Sequence, residues 1–446
     1  MTLFSLVAQR VSTDGWIVIA GSLCAIAAAL PGCFLVLRRL SMLGDAISHA
    51  VLPGLAVAFL VSGSRDSTSM FVGAVLVGLL TALLTELIRR YGNVDEGASM
   101  GVVFTSLFAL GLLLIVQAAD HVDLDPSCVL YGSIEQLLPP PFDSWTILGA
   151  AVPRVVVMLA IVATVNLLLI VLLYKEFKIA AFDSSLATTS GIRSGVLHYL
   201  LMAMVAVTAV ASFETVGNIL VVAMFVVPPA TALLLTDRLG RMLLLAPLLG
   251  VVSAVVGHTS AIALPRAFGM PSVSTAGMMA VAAGILFTLA AMFSPRHGVV
   301  VRNVRRLILS QQILGEDILG TLYRAAEINS SATLTTAELG EKLLATPRAI
   351  WLSQLLGRWR GFLRHTPRGL QLTETGASHA SDLVRSHRLW EQYLDEQAGV
   401  ASERLHASAE RLEHYTDLAL RRQLDEQTST QSTDPHGREI PPERQN

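Results

Sequence analysis

The sequence predicts an all-α polytopic membrane protein of about eight to nine transmembrane helices, followed by a C-terminal winged-helix and helical domain. Three observations predict it. The 446 residues are 53% hydrophobic and only 15% charged, too apolar for an ordinary soluble domain. The charge is uneven: 19 of the 32 Lys/Arg and 19 of the 34 Asp/Glu fall between Arg296 and Asn446. Finally, the charged part carries helix signals followed by a hairpin signal, the order of a winged helix. These observations exclude both a single soluble domain and a pure helix bundle. The expected division is residues 1–298 in the membrane, 299–426 soluble, and 427–446 a disordered tail, since QTSTQSTDPHGREIPPERQN is polar and contains prolines.

A bilayer core of about 30 Å needs roughly 20 apolar residues per helix. Nine stretches qualify: 16–37, 46–62, 69–88, 98–117, 155–174, 197–213, 216–235, 242–263 and 272–293. Residues 118–150, with Pro139, Pro140 and Pro141, are mixed and leave eight spans open. With the N-terminus outside, Arg38, Arg39, Arg89, Arg90, Lys175, Lys178, Arg193, Arg238, Arg241 and Arg296 are cytoplasmic, and only Arg65, Arg154 and Arg266 are external. That bias puts the C-terminal domain in the cytoplasm of a plasma (inner) membrane protein. Arg38 and Arg39 follow the first apolar run as they would a retained anchor, so it reads as a helix and not a signal peptide. Cys24, Cys33 and Cys128 are scattered, with no thiolate zinc spacing.

Ionisable residues inside a membrane are functional or paired. Asp45 and His49, in SMLGDAISHAVLPG, are four apart and share a helix face. A carboxylate and an imidazole make half a site for a divalent first-row metal. They equally suit a helix cap with a paired histidine. Glu86, Asn166, Glu214 and His258 are weaker candidates, and Asp120, His121, Asp123 and Asp125 read as a solvated loop or an external metal funnel. The cytoplasmic loop KEFKIAAFDSSLATTSGIR, residues 175–193, holds an apolar set between polar ends and predicts a short helix outside the bilayer, either a docking element or a connector.

In the soluble part the pattern predicts helices at 316–328, from the capping box Thr335–Glu338 to about Leu344, and from Thr346-Pro347 to Trp359. A hairpin follows around Pro367-Arg368-Gly369. Between Lys342 and Thr373 lie Arg348, Arg358, Arg360, Arg364 and Arg368 and no acidic residue, a surface suited to DNA phosphate, anionic lipid or an acidic partner. Further on, His387 and Glu391 are four apart, as are His406 and Glu410, and Glu413 and His414 fall on the face of Glu410. Six such ligands with no thiolate suit Mn(II), Fe(II) or Zn(II). A solvated face of i, i+4 pairs is the alternative for any one pair.

The segment FLVLRRLSMLGDAISHAVLPGLAVAF, from Phe34 to Phe59, resembles the hallmark of the manganese/zinc/iron permease family of ABC transporters. The run from Tyr174 through FKIAAFDSSLATTSGI, then ASFETVGNILVVAMFVVPPATALLLTDRLGRM from Ala211 to Met242, and FSPRHG ending at Gly298 continue the pattern across nearly all of residues 10–300. The resemblance implies a dimeric permease, paired with itself or a sister subunit. Its partners would be a cytoplasmic ABC ATPase and an extracytoplasmic metal-binding protein, and its substrate manganese, zinc or iron. It places Asp45 and His49 on the translocation path, and Lys175, Glu176, Phe182, Asp183 and Gly191 in the segment that couples to the ATPase. No G-x-x-x-x-G-K-[ST] motif is present, so hydrolysis falls to a separate protein and the chain is not itself an enzyme.

The run from Leu372 to Asp417 resembles the dimerisation and metal-sensing region of the iron- and manganese-dependent repressors typified by the diphtheria toxin repressor. That resemblance implies one metal site at Asp317, Glu410, Glu413 and His414, with His387 joining in manganese-type members. It implies another at His387, Glu391 and His406 in iron-type members. Gly320 stands where manganese-type sensors have a carboxylate, and Trp351 and Leu352 stand where base-reading residues are small and polar. The expected function is metal import regulated by a cytoplasmic metal-sensing domain, with divalent metal as both substrate and regulator and no covalent cofactor. The alternative is a membrane-tethered or released DNA-binding regulator, using Arg348, Arg358, Arg360 and Arg364.

Overall fold

The computed structural model describes residues 12–443 apart from 41, 63–66, 120–133, 137–143, 148–149, 270–272, 330–332 and 429–432. The Asp120–Asp125 cluster, Pro139–Pro141 and the side chain of Glu214 lie outside the described residues. The chain forms two compact units, Met1–Val301 and Arg302–Asn446. The boundary falls three residues beyond the expected one.

The first unit is built of α1 (Thr13–Leu37), α2 (Leu43–Ala50), α3 (Leu52–Ser62), α4 (Ser67–Gly92), α5 (Glu96–Ala119), α6 (Arg154–Leu172), α7 (Tyr174–Phe182), α8 (Ser184–Thr189), α9 (Ser194–Val216), α10 (Asn218–Leu235), α11 (Leu239–Ala267) and α12 (Thr275–Phe293). Among the described residues eight segments are long and apolar enough to cross a membrane, counting α2 and α3 as one. Each of the nine expected stretches holds a helix. The seventh, α10, is shorter, its apolar part running Leu220–Leu235. Before α6 the chain forms a small antiparallel hairpin, β1 (Ser144–Ile147) and β2 (Ala150–Pro153), in a region where the sequence pointed to no regular element.

Small residues let α1 sit at the centre, packed against α6, α9, α10 and α11. Ala20, Cys24, Ala25 and Ala28 are wholly buried, and a Cβ on Gly32 would lie 2.3 Å from the carbonyl oxygen of Phe225 on α10. Close backbone approach is how membrane helices gain packing energy without a hydrophobic drive between them. Gly257 of α11 does the same, since its Cβ would fall 2.3 Å from Met279 Cα. Buried Asn166 is satisfied within the bundle, donating to Ala27 O at 3.0 Å and Thr208 Oγ1 at 2.8 Å.

The two ends of α1 carry different ionic groups. At its start, Asp14 Oδ1 lies 3.7 Å from Nε2 of buried His258, whose Nδ1 is 3.4 Å from Thr275 Oγ1. At its other end, Arg38 donates to Ala180 O at 3.1 Å and lies 3.4 Å from His198 Nδ1. His198 Nε2 is in turn 3.4 Å from Glu86, which forms a bidentate pair with Arg89.

The second unit begins with α13 (Val299–Ile328), a single helix where the sequence predicted only 316–328. Its early half is amphipathic, with Arg302, Arg305 and Arg306 among Val304, Leu307 and Ile308. Next come α14 (Thr336–Lys342), started by the Thr335–Glu338 capping box, and α15 (Pro347–Trp359), capped by Thr346. The antiparallel hairpin β3 (Leu363–Thr366) and β4 (Gly369–Leu372) follows, with Leu334 bridging Leu370. Ile318, Leu322, Leu339, Ile350, Leu363 and Leu370 form the core. The winged-helix order is present as expected. Beyond it lie α16 (Glu374–Glu396), α17 (Ser402–Glu413) and α18 (Leu418–Gln427).

The expectation of a disordered tail over 427–446 fails for residues 433–443. Arg385 and Arg388 are buried on α16, and buried guanidinium groups require partners. Arg385 donates to Pro441 O at 2.5 Å and Arg388 to Glu439 O, while Asp434, also buried, lies 3.8 Å from Arg388 Nε. The segment is held mainly by carbonyls and by the carboxylates of Asp434 and Glu443, with Pro441 its one buried apolar residue, which is why its composition concealed it.

Close approach at Gly257 yields a prediction. Gly257→Val drives methyls into the α12 backbone and is expected to lower folded protein in membranes severely, overpacking costing roughly 1–3 kcal/mol or more. Gly284→Ala, with nothing within 4 Å of the new Cβ, should be accepted; membrane-fraction immunoblots read both.

Candidate metal centres

The second span breaks between α2 and α3 because Pro53 has no N–H to continue the helix, and the turn between them is tightened by Gly54 N donating to Val51 O at 2.9 Å. Asp45 sits in the first turn of α2 and His49 in its last. They share one face as the spacing predicted, with Asp45 Oδ1 3.5 Å from His49 Nε2. Phe104 and Phe108 of α5 flank the imidazole at centroid distances of 5.4 and 6.0 Å. A helix interrupted at an ionisable pair is the form membrane proteins use where backbone lines a cavity or site. Two ligands alone hold a divalent ion weakly.

A denser arrangement lies in the second unit. Among the described residues two groups of three metal-competent side chains converge, His387 with Glu391 and His406, and Asp317 with Glu413 and His414. In the first, His387 Nε2 lies 3.0 Å from both Glu391 Oε1 and His406 Nδ1, and His406 Nδ1 is 2.9 Å from Glu391 Oε1. Three ligands on one face of an octahedron with bonds of about 2.1 Å are about 3.0 Å apart, so this donor set fits a first-row divalent ion. In the second, His414 Nε2 is 3.1 Å from Asp317 Oδ1 and 3.8 Å from Glu413 Oε1. The two groups touch: His387 Nδ1 is 2.5 Å from Glu413 Oε2.

Helix geometry explains what joins and what does not. Leu405, Ala409 and Glu413 form the buried stripe of α17, at i, i+4 and i+8. Glu413 is therefore carried inward and His414 follows it at the helix end. Glu410, one residue off that stripe, is exposed and enters neither group, so the ligand set expected from the resemblance loses it. Two residues absent from that set take part. Glu316 accepts from His414 Nδ1 at 2.7 Å, a contact signalled only by its position beside Asp317. His436, from the packed tail, stands with Nε2 3.8 Å from Glu391 Oε1.

The electrostatics are those of imidazoles held among carboxylates. Burial works against charge on His414, but its hydrogen bonds to Asp317 and Glu316 and the charge of Glu413 prevail, and its pKa is pushed up to about 10. His387 is raised as well, burial being outweighed by Glu391 and Glu413. Burial would raise Glu391, yet His387 and His406 bring it down to about 2. Glu316 is lowered against its burial by His414 and Gln312. In the metal-free state, protonated imidazoles thus supply the positive charge among these carboxylates.

The remaining expected sites are surfaces. The loop 175–193 folds as two short helices and not one, broken where Asp183 caps α8 by accepting from Ser185 N and Leu186 N. Gly191 ends it with φ +80°. Lys175 and Phe182 are exposed and Glu176 is half-buried. Buried Phe177 stacks on Phe34 at 5.1 Å, tying α7 to α1. Arg348, Arg358, Arg360 and Arg364 are all exposed around α15 and β3.

A metal must displace the imidazole protons to bind here. Affinity of the purified chain for Mn(II) is expected to rise with pH through the neutral range, with proton release on binding. Because His387 belongs to one group and touches the other, His387→Ala should weaken both sites, and His406→Ala only one. Calorimetric titration in two buffers of different ionisation enthalpy reads stoichiometry and protons together.

Known proteins resemble the two units separately. The ABC 3 transport family matches residues 15–294, and the iron dependent repressor metal binding and dimerisation domain matches residues 373–442. The manganese transport system membrane protein MntD of Bacillus subtilis (strain 168) is 45% identical over 305 residues, covering 68% of this chain and 100% of that protein. The zinc transport system membrane protein TroD of Treponema pallidum (strain Nichols) is 40% identical over 286 residues, 64% of this chain and 75% of that protein. The solved structure of PsaBC from Streptococcus pneumoniae in complex with Fab superposes with a TM-score of 0.53 at 29% identity, covering 65% of this chain and 94% of that chain. With its helical bundle, its interrupted second span and this match across most of its length, the chain belongs to the ABC 3 transport family and carries a C-terminal domain of the iron-dependent repressor type.

Proposed function

We propose that this protein is the membrane permease subunit of an ABC importer for divalent transition metal, manganese, zinc or iron, regulated by its own metal-binding domain. The observation that carries the proposal is the pairing of an ABC 3 bundle, whose second span breaks beside Asp45 and His49, with a buried imidazole–carboxylate cluster in the same chain. The names of the relatives, manganese and zinc transport proteins, agree with that donor chemistry.

The basic residues at the Arg38–Arg89 end support a cytoplasmic placement of that end, with the N-terminus outside and the regulatory domain inside. A separate ATPase would dock on α7 and α8, where Phe182 and Leu186 are exposed. Its movement would reach α1 through Phe177 on Phe34 and Arg38 on Ala180 O. An extracytoplasmic binding protein would deliver the ion at the other end, and a second permease subunit would complete the path. Asp45 and His49 give the ion two transient ligands.

In the regulatory domain, His387, Glu391 and His406, and Glu316, Asp317, Glu413 and His414, would hold metal. When bound, it replaces the imidazole protons as the charge neutralising the carboxylates. His387 joins the two sets through Glu413, so occupancy of one biases the other.

The exposed arginines and winged-helix order favour a second reading, a DNA-binding regulator tethered to the membrane or released from it. Mobility shift of the detergent-solubilised full chain on promoter fragments, with and without Mn(II), tests it. For the leading reading, Asp45→Ala and His49→Ala should each cut metal uptake at least tenfold in proteoliposomes containing the ATPase and binding protein, at normal permease levels. Wild-type rates would sink the path assignment. His387→Ala should leave uptake intact but remove its dependence on internal metal.

A further inference from the structure

The exposed face of α15 is apolar. Trp351, Leu352, Leu355, Leu356 and Trp359 fall at i, i+1, i+4, i+5 and i+8, one side of a helix. All five are exposed, Trp351 at 62% and Trp359 at 85%, while Ile350, Ser353 and Gln354 fill the inner face. A groove brings Leu352 and Leu356 against Leu307 and Ile308 of α13, so the apolar surface runs continuously over two helices. A contiguous patch of this kind marks an interaction surface. Its surroundings are basic: Lys342, Arg348, Arg358, Arg360, Arg364 and Arg368 are exposed, no Asp or Glu lies between Lys342 and Thr373, and α13 adds Arg302, Arg305 and Arg306.

We propose that this face docks on the anionic headgroup surface of the membrane that the same chain spans. Three observations select a bilayer as occupant. Tryptophan and leucine beside arginine form the composition of a helix lying in the interface, with indoles at headgroup depth and guanidinium groups reaching outward. A cationic run without an acid from Lys342 to Thr373 matches a surface of dense negative charge, Glu316 in the groove wall being paired with His414. The membrane spans are covalently attached, so the surface is present at high effective concentration. Duplex DNA would satisfy the cations but bury little of the two indole rings and three leucines, because base edges are read chiefly by hydrogen bonds, which leucine cannot make and each indole offers through a single N–H donor.

The test uses the full chain in proteoliposomes and the tryptophan emission assigned by subtracting a Trp351→Phe/Trp359→Phe variant, in which the face stays apolar. In vesicles of phosphatidylcholine with phosphatidylglycerol, the difference emission is expected to be blue-shifted, quenched by headgroup-depth spin-labelled lipid and shielded from iodide. In phosphatidylcholine alone at high salt, lipid quenching should be lost and iodide quenching gained. Emission that iodide reaches equally in both vesicles overturns the proposal. So does shielding that appears only when duplex DNA or the purified ATPase is added, since that assigns the face to DNA or to a protein.

Discussion

Ionisable side chains taken out of water must find one another, and most of what is distinctive in this protein follows from that constraint. An isolated buried charge costs several kcal/mol even after relaxation, so each such group here is met by another. In the bundle, Asp45 meets His49, Glu86 meets Arg89 and His198, and Asp14 meets His258. In the second unit the same rule gathers Glu391, His387, Glu413 and His414 at one place. It also folds the C-terminal segment back, because Arg385 and Arg388 cannot be buried beside His387 without carbonyl partners. Pairing is thus both what stabilises the metal-free chain and what assembles its ligands.

The same constraint separates what could be read in the sequence from what could not. Local pairings were legible. Asp45 with His49 and His387 with Glu391 are i, i+4, and the Thr335–Glu338 capping box is i, i+3. In each, helix geometry alone places the side chains together. Hydrophobic periodicity located the helices, since nine apolar stretches can be buried in few other ways. Contacts distant in sequence were not legible. Glu316 reaches His414 across 98 residues, and nothing at either position announces the other. Glu410 seemed equivalent to Glu413 by spacing, but burial of Leu405 and Ala409 decided which of them turned inward. The tail failed as a prediction for a related reason. Composition measures how much apolar surface a segment can bury, and residues 433–443 are held by their backbone oxygens.

Stiff connections between the polar clusters give the bundle a route for transmitting motion. α1 is in contact with α6, α9, α10 and α11, and its end is tied to α7 by Phe34 on Phe177 and by Arg38 on Ala180 O. Arg38 also faces His198, which faces Glu86. A displacement of α7 would disturb these part-buried polar contacts and the buried Phe34–Phe177 pair, and close-packed interiors transmit strain instead of yielding to it. The break at Val51–Pro53 is different in kind. There Pro53 gives up one backbone hydrogen bond, and the helix resumes as α3 with Leu55 N donating to Val51 O at 3.3 Å.

The two metal-competent places differ in ligand number, and the proposed function gives that difference a reason. A transport path has to let its ion go, so a pair of ligands 3.5 Å apart with one of them partly exposed is appropriate. Adding a third protein ligand there would deepen the well and slow release. A sensor has the opposite requirement: it must hold metal long enough for occupancy to track concentration, and it needs a competing state for metal to displace. The second unit supplies both. Three ligand atoms about 3 Å apart would provide the well, and the protons on His414, whose pKa is pushed up to about 10, and on His387, raised by Glu391 and Glu413 against its burial, would provide the competitor. In the proposed function, the same side-chain chemistry would serve release in one unit and retention in the other, the difference being the number of partners that burial has brought into contact.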